Sequence, residues 1–314
     1  MMKCLYCYLP NADSGDFHQR CSKKFFGSNT PPKIEYSLSE ISELAREVIE
    51  RSVSVPGVQP KLSMSIIQET KTKTDHRLTV IGALGGKYIF KPPNADYQSL
   101  PENEHVTMKL AEVMGIAVVP STLIRMKSGE LAYLTKRIDR KSNGEKIHML
   151  DMFQILEAFN KYRSSHERIS KALSDYSAQP LLDKMKLFEL ILFCYLIGNN
   201  DMHLKNFSMI RQNDEWKLAP AYDLLNVKLA IPEDSDELAL TLVGKKSNFS
   251  KEHFLHFAAS NLTLNTKQIN GAFNRIKKLS KAAPEILKQS PLEKDLCIRY
   301  NQLINERLQQ MGLN

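Results

Sequence analysis

The sequence predicts an α+β fold, a small strand-rich lobe followed by a larger, mainly helical one. Three observations carry that expectation. Short alternating apolar runs, bounded by Gly, Pro and Asn, cluster before residue 138. From about residue 148 the apolar spacing becomes helical and stays mostly so to the end. One polar loop, Gly198-Asn199-Asn200-Asp201-Met202-His203-Leu204-Lys205-Asn206, follows the most apolar helical stretch and precedes a short strand, Phe207-Ser208-Met209-Ile210.

The bulk properties bound the reading. A chain of 314 residues is enough for one large two-lobed domain or two ordinary ones. Hydrophobic residues at 42% and charged residues at 25% are usual for a soluble globular protein. The longest apolar run, Leu187 to Gly198, is too short for a membrane span and contains Glu189, so no membrane partner is expected. The N-terminus lacks the apolar core of a secretory signal. A cytoplasmic protein is therefore expected, with a C-terminal secretion signal left open. The net charge of +8 favours nucleotides and acidic partners, but Lys is spread along the chain rather than blocked into a nucleic-acid arm. Five cysteines, an odd number, argue against a disulfide framework, and Cys194 reads as a small core residue.

Residues 1–30 stand apart. Cys4-Leu5-Tyr6-Cys7 is a C-x-x-C, and His18 and Cys21 follow. Three thiolates and an imidazole suit tetrahedral Zn2+, which would fold a segment too small for its own core. A reduced, metal-free segment is the alternative. Asn29-Thr30-Pro31-Pro32 reads as a linker, so the expected divisions are 1–30, a strand-rich lobe over 31–138 and a helical lobe over 139–314.

Ser39 to Arg51 is helical, with Ile41, Leu44, Val48 and Ile49 on one face and Ser39 as its cap. Pro56-Gly57-Val58-Gln59-Pro60-Lys61 is a turn leading into the alternating strand Leu62 to Ile67. Free amides beside a Lys can cradle phosphate, although the run matches neither G-x-x-x-x-G-K-S/T nor G-x-G-x-x-G. Arg77 to Ala83 and Lys87 to Lys91 read as a hairpin about Gly85-Gly86, which places Lys91 at a strand end. Ser99-Leu100-Pro101-Glu102 has the pattern of a capping box. The helix it opens has Val106, Leu110, Val113 and Met114 on its apolar face and offers Glu104 to Lys91. Thr122 to Met126 and Glu130 to Ile138 form a second strand pair about Ser128-Gly129. Met152, Ile155, Leu156 and Phe159 share a helical face. Leu181 to Ile197 is the central buried helix, stopped by Gly198. Two short strands flank Asn213-Asp214, and helical, Lys-rich stretches follow from Phe249.

The polar loop offers what phosphoryl transfer needs. One Asp orients and deprotonates a hydroxyl, and an Asn and a second Asp hold magnesium on the phosphates. Asp201 and Asn206 are five residues apart, the spacing of a kinase catalytic loop, and Asp223 returns 17 residues after Asn206. A polar connecting loop without chemistry is the plain alternative.

Six ordered stretches resemble the HipA family of serine/threonine kinases, the toxin components of bacterial toxin–antitoxin systems. They are Ser-Val-Pro-Gly-Val-Gln-Pro-Lys at 54–61, Tyr-Ile-Phe-Lys-Pro at 88–92, Glu-Asn-Glu-His at 102–105, Lys-Arg-Ile-Asp-Arg at 136–140, the loop at 198–206 and Leu-Ala-Pro-Ala-Tyr-Asp-Leu at 218–224. The resemblance implies a protein-kinase-like two-lobed fold that uses ATP and Mg2+. It implies Asp201 as catalytic base, with His203 and Lys205 beside it, and Asn206 and Asp223 on Mg2+. Lys91, paired with Glu104, would contact the nucleotide phosphates. Gly57, Val58, Gln59, Pro60 and Lys61 would form the phosphate loop, and Lys136, Arg137 and Ile138 the adenine-facing hinge. Ser52 and Ser54 correspond to autophosphorylation positions.

The stretch before the phosphate loop is shorter than in full-length HipA. The chain thus looks more like the HipT toxins of three-component systems, in which a separate small protein resembles the missing part. The implied partners are a protein substrate, an aminoacyl-tRNA synthetase by analogy, a HipB-like DNA-binding antitoxin and a HipS-like small protein. DNA would be reached only through the antitoxin. Two other classes stand beside this one: a catalytically silent kinase fold used as a binding module, and a small-molecule or lipid kinase. The joint presence of Asp201, Asn206, Asp223 and Lys91 argues against the first.

Overall fold

In the computed structural model, which describes residues 2–12, 15–51, 61–68, 76–80, 86–141 and 143–313, two helices precede the strands: α1 (Gln19–Phe26) and α2 (Leu38–Arg51). Then come β1 (Leu62–Gln68), β2 (His76–Val80), β3 (Tyr88–Lys91), α3 (Leu100–Val113), β4 (Ser121–Arg125) and β5 (Leu131–Lys136). The remaining strands and α-helices are β6 (Met149–Asp151), α4 (Met152–Ile155), α5 (His166–Tyr176), α6 (Pro180–Ile197), β7 (Ser208–Gln212), β8 (Glu215–Leu218), α7 (Val227–Ala230), α8 (Lys251–His256), α9 (Thr266–Lys277), α10 (Leu279–Gln289) and α11 (Lys294–Gln310). Strands come mostly first and helices after, as the alternation and spacing of apolar residues required. No helix among the described residues is long and apolar enough to cross a membrane.

The chain groups into two units. One comprises Met1–His105, Val119–Glu145 and Gln289–Pro291; the other comprises Val106–Val118, Lys146–Lys288 and Leu292–Asn314. The first is built on a five-stranded antiparallel sheet of order β2-β1-β3-β5-β4. Met64, Leu78, Phe90, Leu123 and Leu134 fill its core. In the second, α6 is buried almost all round from Leu187 to Ile197, the pattern of a helix enclosed by others rather than lying at the surface. A three-stranded sheet, β6-β7-β8, lies in the same unit.

Several expectations are corrected. β2 and β3 are not a hairpin: β1 lies between them, with Met64 opposite Val80 on one side and Tyr88 on the other. Gly86 (φ +82°) sits where a Cβ would come within 2.7 Å of the Met64 carbonyl. That glycine therefore serves close passage along β1 rather than chain reversal. The cap of α2 is Ser37, not Ser39: Glu40 N–H donates to Ser37 Oγ, and Ser37 N–H to Glu40 Oε2 at 2.7 Å. Ser99 enters α3 with φ +51°, outside the extended region of a usual cap. Val113 is 54% exposed, whereas Val106, Leu110 and Met114 are buried. Phe159 is fully exposed, because α4 lasts only four residues and the chain turns at Glu157 (φ +48°) before a helical face can form. Residues 149–151, expected to be helical, form β6, where pairing with β7 overrides local propensity. The β4–β5 hairpin, the β7–β8 turn at Asn213-Asp214 and the end of α6 at Gly198 (φ +74°) are as the residues predict.

Candidate active site

The loop after α6 owes its shape to alternation. Met202, Leu204 and Phe207 are buried anchors, so Asp201 and Lys205 are left at the more open positions between them. Backbone bonds stitch it: His203 N–H to Asp201 O (2.8 Å), Asn206 N–H to His203 O (2.9 Å) and Leu204 N–H to Lys161 O (3.1 Å). Asn199 and Asn200, both buried, brace its start. Asn199 Oδ1 accepts from Asp201 N–H (3.3 Å), and Asn200 Nδ2 donates to Asp234 Oδ2 (2.8 Å) and Asp236 O (2.9 Å).

The Asp201 carboxylate accepts a hydrogen bond at Oδ1 from the Tyr162 hydroxyl at 2.7 Å. Asn206 donates from Nδ2 to the Asp201 carbonyl at 3.4 Å. The His203 ring meets Tyr162 edge-on at 5.0 Å. Burial holds the His203 imidazole below its ordinary pKa; Asp201 and Asp223 pull it upward and Lys161 pushes it down, and burial prevails. Asp223 has φ +56°, an uncommon conformation for a residue with a side chain. Its segment is tied to the loop by Tyr222, whose hydroxyl donates to Lys205 O at 2.9 Å. Lys205 lies over the Phe153 ring at 4.8 Å and is exposed.

In the sheet unit, Lys91 at the end of β3 donates to Glu104 Oε1 of α3 at 2.7 Å. Both side chains are under a tenth exposed. Breaking such a buried pair costs about 3–5 kcal/mol, so Lys91 is not an ordinary surface lysine. Its ammonium also lies over the Tyr133 ring at 5.4 Å. Lys136 sits over the Phe25 ring at 5.2 Å, with its pKa lowered by burial. Arg137 forms a two-pronged pair with Asp139 at 2.9 and 2.7 Å, and Arg140 joins the same carboxylate. Burial raises the Asp139 pKa, but these two guanidiniums outweigh it and leave the carboxyl below its usual range. Ile138 is half-buried, and Lys61 is exposed just ahead of β1. Gly57, Val58, Gln59, Pro60, Ser52 and Ser54 lie outside the described residues.

At the N-terminus, the ligand atoms of Cys4, Cys7, His18 and Cys21 all lie within 4.8 Å of one another. Burial pushes the Cys7 thiol up and takes Cys21 to about 12. Sequence reasoning missed Tyr162, Tyr133, Asn199 and Asn200 as neighbours of these groups. Tyr162 is 39 positions from Asp201, and no spacing rule links them.

A family model, the HipA-like C-terminal domain, matches residues 53–283, well over half of the chain. The chain belongs to the HipA-like family. A Haemophilus influenzae protein named "Putative kinase" is 30% identical over 231 residues, which cover 68% of this chain and 64% of that one. A second such kinase, Y4dM of Sinorhizobium fredii, is 31% identical over 249 residues, 74% of this chain and 58% of that one. The HipA serine/threonine-protein kinase toxin of Shewanella oneidensis is 28% identical over 198 residues, 56% and 44% of the two chains. This HipA-like chain thus spans less than two thirds of the length of the curated relatives it matches. Among solved structures, HipA in the Shewanella oneidensis complex of HipA, HipB and operator DNA superposes with a TM-score of 0.69 at 22% identity, over 85% of this chain and 71% of that one. The Helicobacter pylori proinflammatory kinase CtkA gives 0.52 at 15% identity, over 74% and 90%. These likenesses establish the α+β, protein-kinase-like fold. Residues 1–52 of the HipA-like chain, with the Cys/His cluster, precede the family match.

Proposed function

We propose that this chain is an ATP-dependent serine/threonine protein kinase, the toxin of a HipBA- or HipBST-type toxin–antitoxin system, acting in the cytoplasm. The observation that carries the reading is the loop itself: Tyr162 donates to the Asp201 carboxylate and meets His203, Asn206 donates to the Asp201 carbonyl, and Tyr222 ties the segment of Asp223 to Lys205. The residues present fit a magnesium nucleotide. Asn206 and Asp223 offer the hard oxygen donors that Mg2+ takes. His203 Nδ1 is buried without a hydrogen-bond partner among the described residues, a polar atom that a bound ligand or water would satisfy.

In this reading Asp201 accepts the proton of a serine or threonine hydroxyl as its oxygen bonds to the γ-phosphorus and the bond to the ADP oxygen breaks. Tyr162 engages Oδ1 and so fixes the carboxylate's orientation. Lys91, steadied by Glu104, binds nucleotide phosphates, with Gly57 to Lys61 as the phosphate loop and Lys136 to Ile138 facing the adenine. Asn206 and Asp223 would hold Mg2+, which when bound would neutralise charge on the phosphates. Burial disfavours the charged form of the His203 imidazole, which suits it to offer a hydrogen bond.

The finer proposals rest on the family. They are an aminoacyl-tRNA synthetase as substrate, HipB-like and HipS-like partners, and modification of Ser52 or Ser54. A phosphoserine there adds about −1.5 to −2 charges beside the phosphate loop and competes with ATP.

Intact-mass analysis after incubation with Mg-ATP tests the reading. Wild type should gain one or two phosphates and Asp201→Asn none. Nucleotide binding without any gain leaves a kinase in need of its substrate; no nucleotide binding leaves a silent fold and defeats the proposal.

A further inference from the structure

The Cys/His cluster is used by none of the chemistry above, and its geometry is specific. A Zn–S bond of ~2.3 Å and a Zn–N bond of ~2.0 Å meeting at the tetrahedral angle put the two ligand atoms about 3.5 Å apart. His18 Nδ1 lies 3.4 Å from Cys7 Sγ and 3.7 Å from Cys21 Sγ. His18 Nε2 lies 2.9 Å from the Pro10 carbonyl. That oxygen can only accept, so Nε2–H donates to it and Nδ1 is the ring nitrogen that faces the sulfurs, the usual outer-shell arrangement of a metal-bound histidine. Backbone structure delivers all four ligands. Cys4 and Cys7 flank a tight turn, with Tyr8 N–H donating to Cys4 O at 2.8 Å. His18 sits at the N-cap position of α1, its ring turned away from the helix amides, and the first turn of α1 carries Cys21. All five cysteines are free thiols.

The segment also packs on the sheet and on the first turn of α3, which carries Glu104. Tyr8, held at φ +64°, places its hydroxyl 2.6 Å from Nδ1 of His105, the residue after Glu104. Phe25 of α1 is buried against Tyr88, three residues before Lys91, with ring centroids 5.9 Å apart. Asp16 pairs with Arg125 of β4 through three contacts of 3.0–3.3 Å.

We propose that Cys4, Cys7, His18 and Cys21 bind one Zn2+ tetrahedrally through three thiolates and His18 Nδ1, and that the ion fixes Tyr8 on His105, so that metal occupancy sets the order of the Glu104 turn of α3. Metal binding stands on the cluster alone, and its effect on the Glu104 turn stands on the Tyr8–His105 contact; neither rests on the kinase reading. The ion cross-links the Cys4–Cys7 turn to the start of α1 and so fixes the backbone that carries Tyr8.

Metal analysis of the purified full-length protein should find about one zinc per chain. Cobalt exchange into wild type should give the thiolate charge-transfer and tetrahedral d–d bands. Cys7→Ser with Cys21→Ser should abolish both signals, and Cys194→Ser with Cys297→Ser should preserve them. Wild type that neither contains zinc nor takes up cobalt overturns the site, as does metal uptake that survives loss of Cys7 and Cys21. For the coupling, hydrogen exchange of the 102–105 amides is compared between zinc-loaded and chelator-stripped wild type, and in zinc-loaded Tyr8→Phe. Faster exchange on stripping and in Tyr8→Phe supports it; unchanged exchange in either overturns it. None of these readouts requires kinase activity, so failure of the kinase reading is separately visible.

Discussion

Tyr162 shows how much of this site depends on a single distant side chain. Its hydroxyl donates to the carboxylate proposed as base, at 2.7 Å, and its ring meets His203. A hydrogen bond to a charged group contributes about 1.5–3 kcal/mol. Tyr162→Phe keeps the ring and deletes only that bond. It should lower kcat roughly tenfold, the effect of about 1.4 kcal/mol on a barrier, with the KM for ATP nearly unchanged. Steady-state kinetics beside a urea unfolding curve checks this. If thermodynamic stability drops while kcat holds, Tyr162 is structural. Asp201 itself is conspicuous in the sequence, since its spacing to Asn206 is local; Tyr162 is not, because nothing local joins positions 39 apart.

Among the elements, α6 and its stop decide where the loop begins. Gly198 has φ +74°, and a Cβ there would meet Leu303 Cδ2 at 2.7 Å and Asn226 Oδ1 at 2.9 Å. The left-handed conformation alone costs a non-glycine residue about 1–2 kcal/mol, and the contacts add to it. Gly198→Ala should therefore lower unfolding stability by at least about 1 kcal/mol and slow any phosphoryl transfer, because the displaced Cα carries Asn199 to Asp201 with it. Chemical denaturation and activity measured on the same preparation check both. The sheet elements teach the opposite lesson. The Gly85-Gly86 dipeptide looks like a hairpin turn, yet β3 pairs with β1 and β5 rather than with β2. Strand periodicity says which face of a strand is buried and is silent about its neighbour.

At the scale of the whole molecule, pH reports on the buried histidine of the helical unit. His166 is 1% exposed, packs edge-on against Phe207 and Phe257, and has neither ring nitrogen hydrogen-bonded among the described residues. Burial pushes its imidazole down to about 3, against roughly 6.5 in the unfolded chain. Between those values the unfolded chain binds the extra proton, so stability rises with pH across that window. This contribution is complete above about pH 6.5 and is lost progressively as pH falls toward about 3. Urea midpoints measured from about pH 7.5 down to about pH 5 should decline in wild type and decline less in His166→Phe. Equal slopes would show that other groups control acid stability.

The sequence by itself determined the order of strands and helices, the stop of α6 at Gly198, the Asp201–Asn206 spacing and the spacing of the cysteines and His18 in the N-terminal segment. Each is set by residues close in the chain, where periodicity, backbone freedom and short spacings act directly. Only the tertiary structure decided which strand lies between β2 and β3, that residues 149–151 pair as a strand, that Phe159 faces solvent and that Tyr162 and Tyr8 reach Asp201 and His105. Those outcomes join residues far apart in sequence, and they follow from which surfaces can be buried together, a choice that local propensity does not encode.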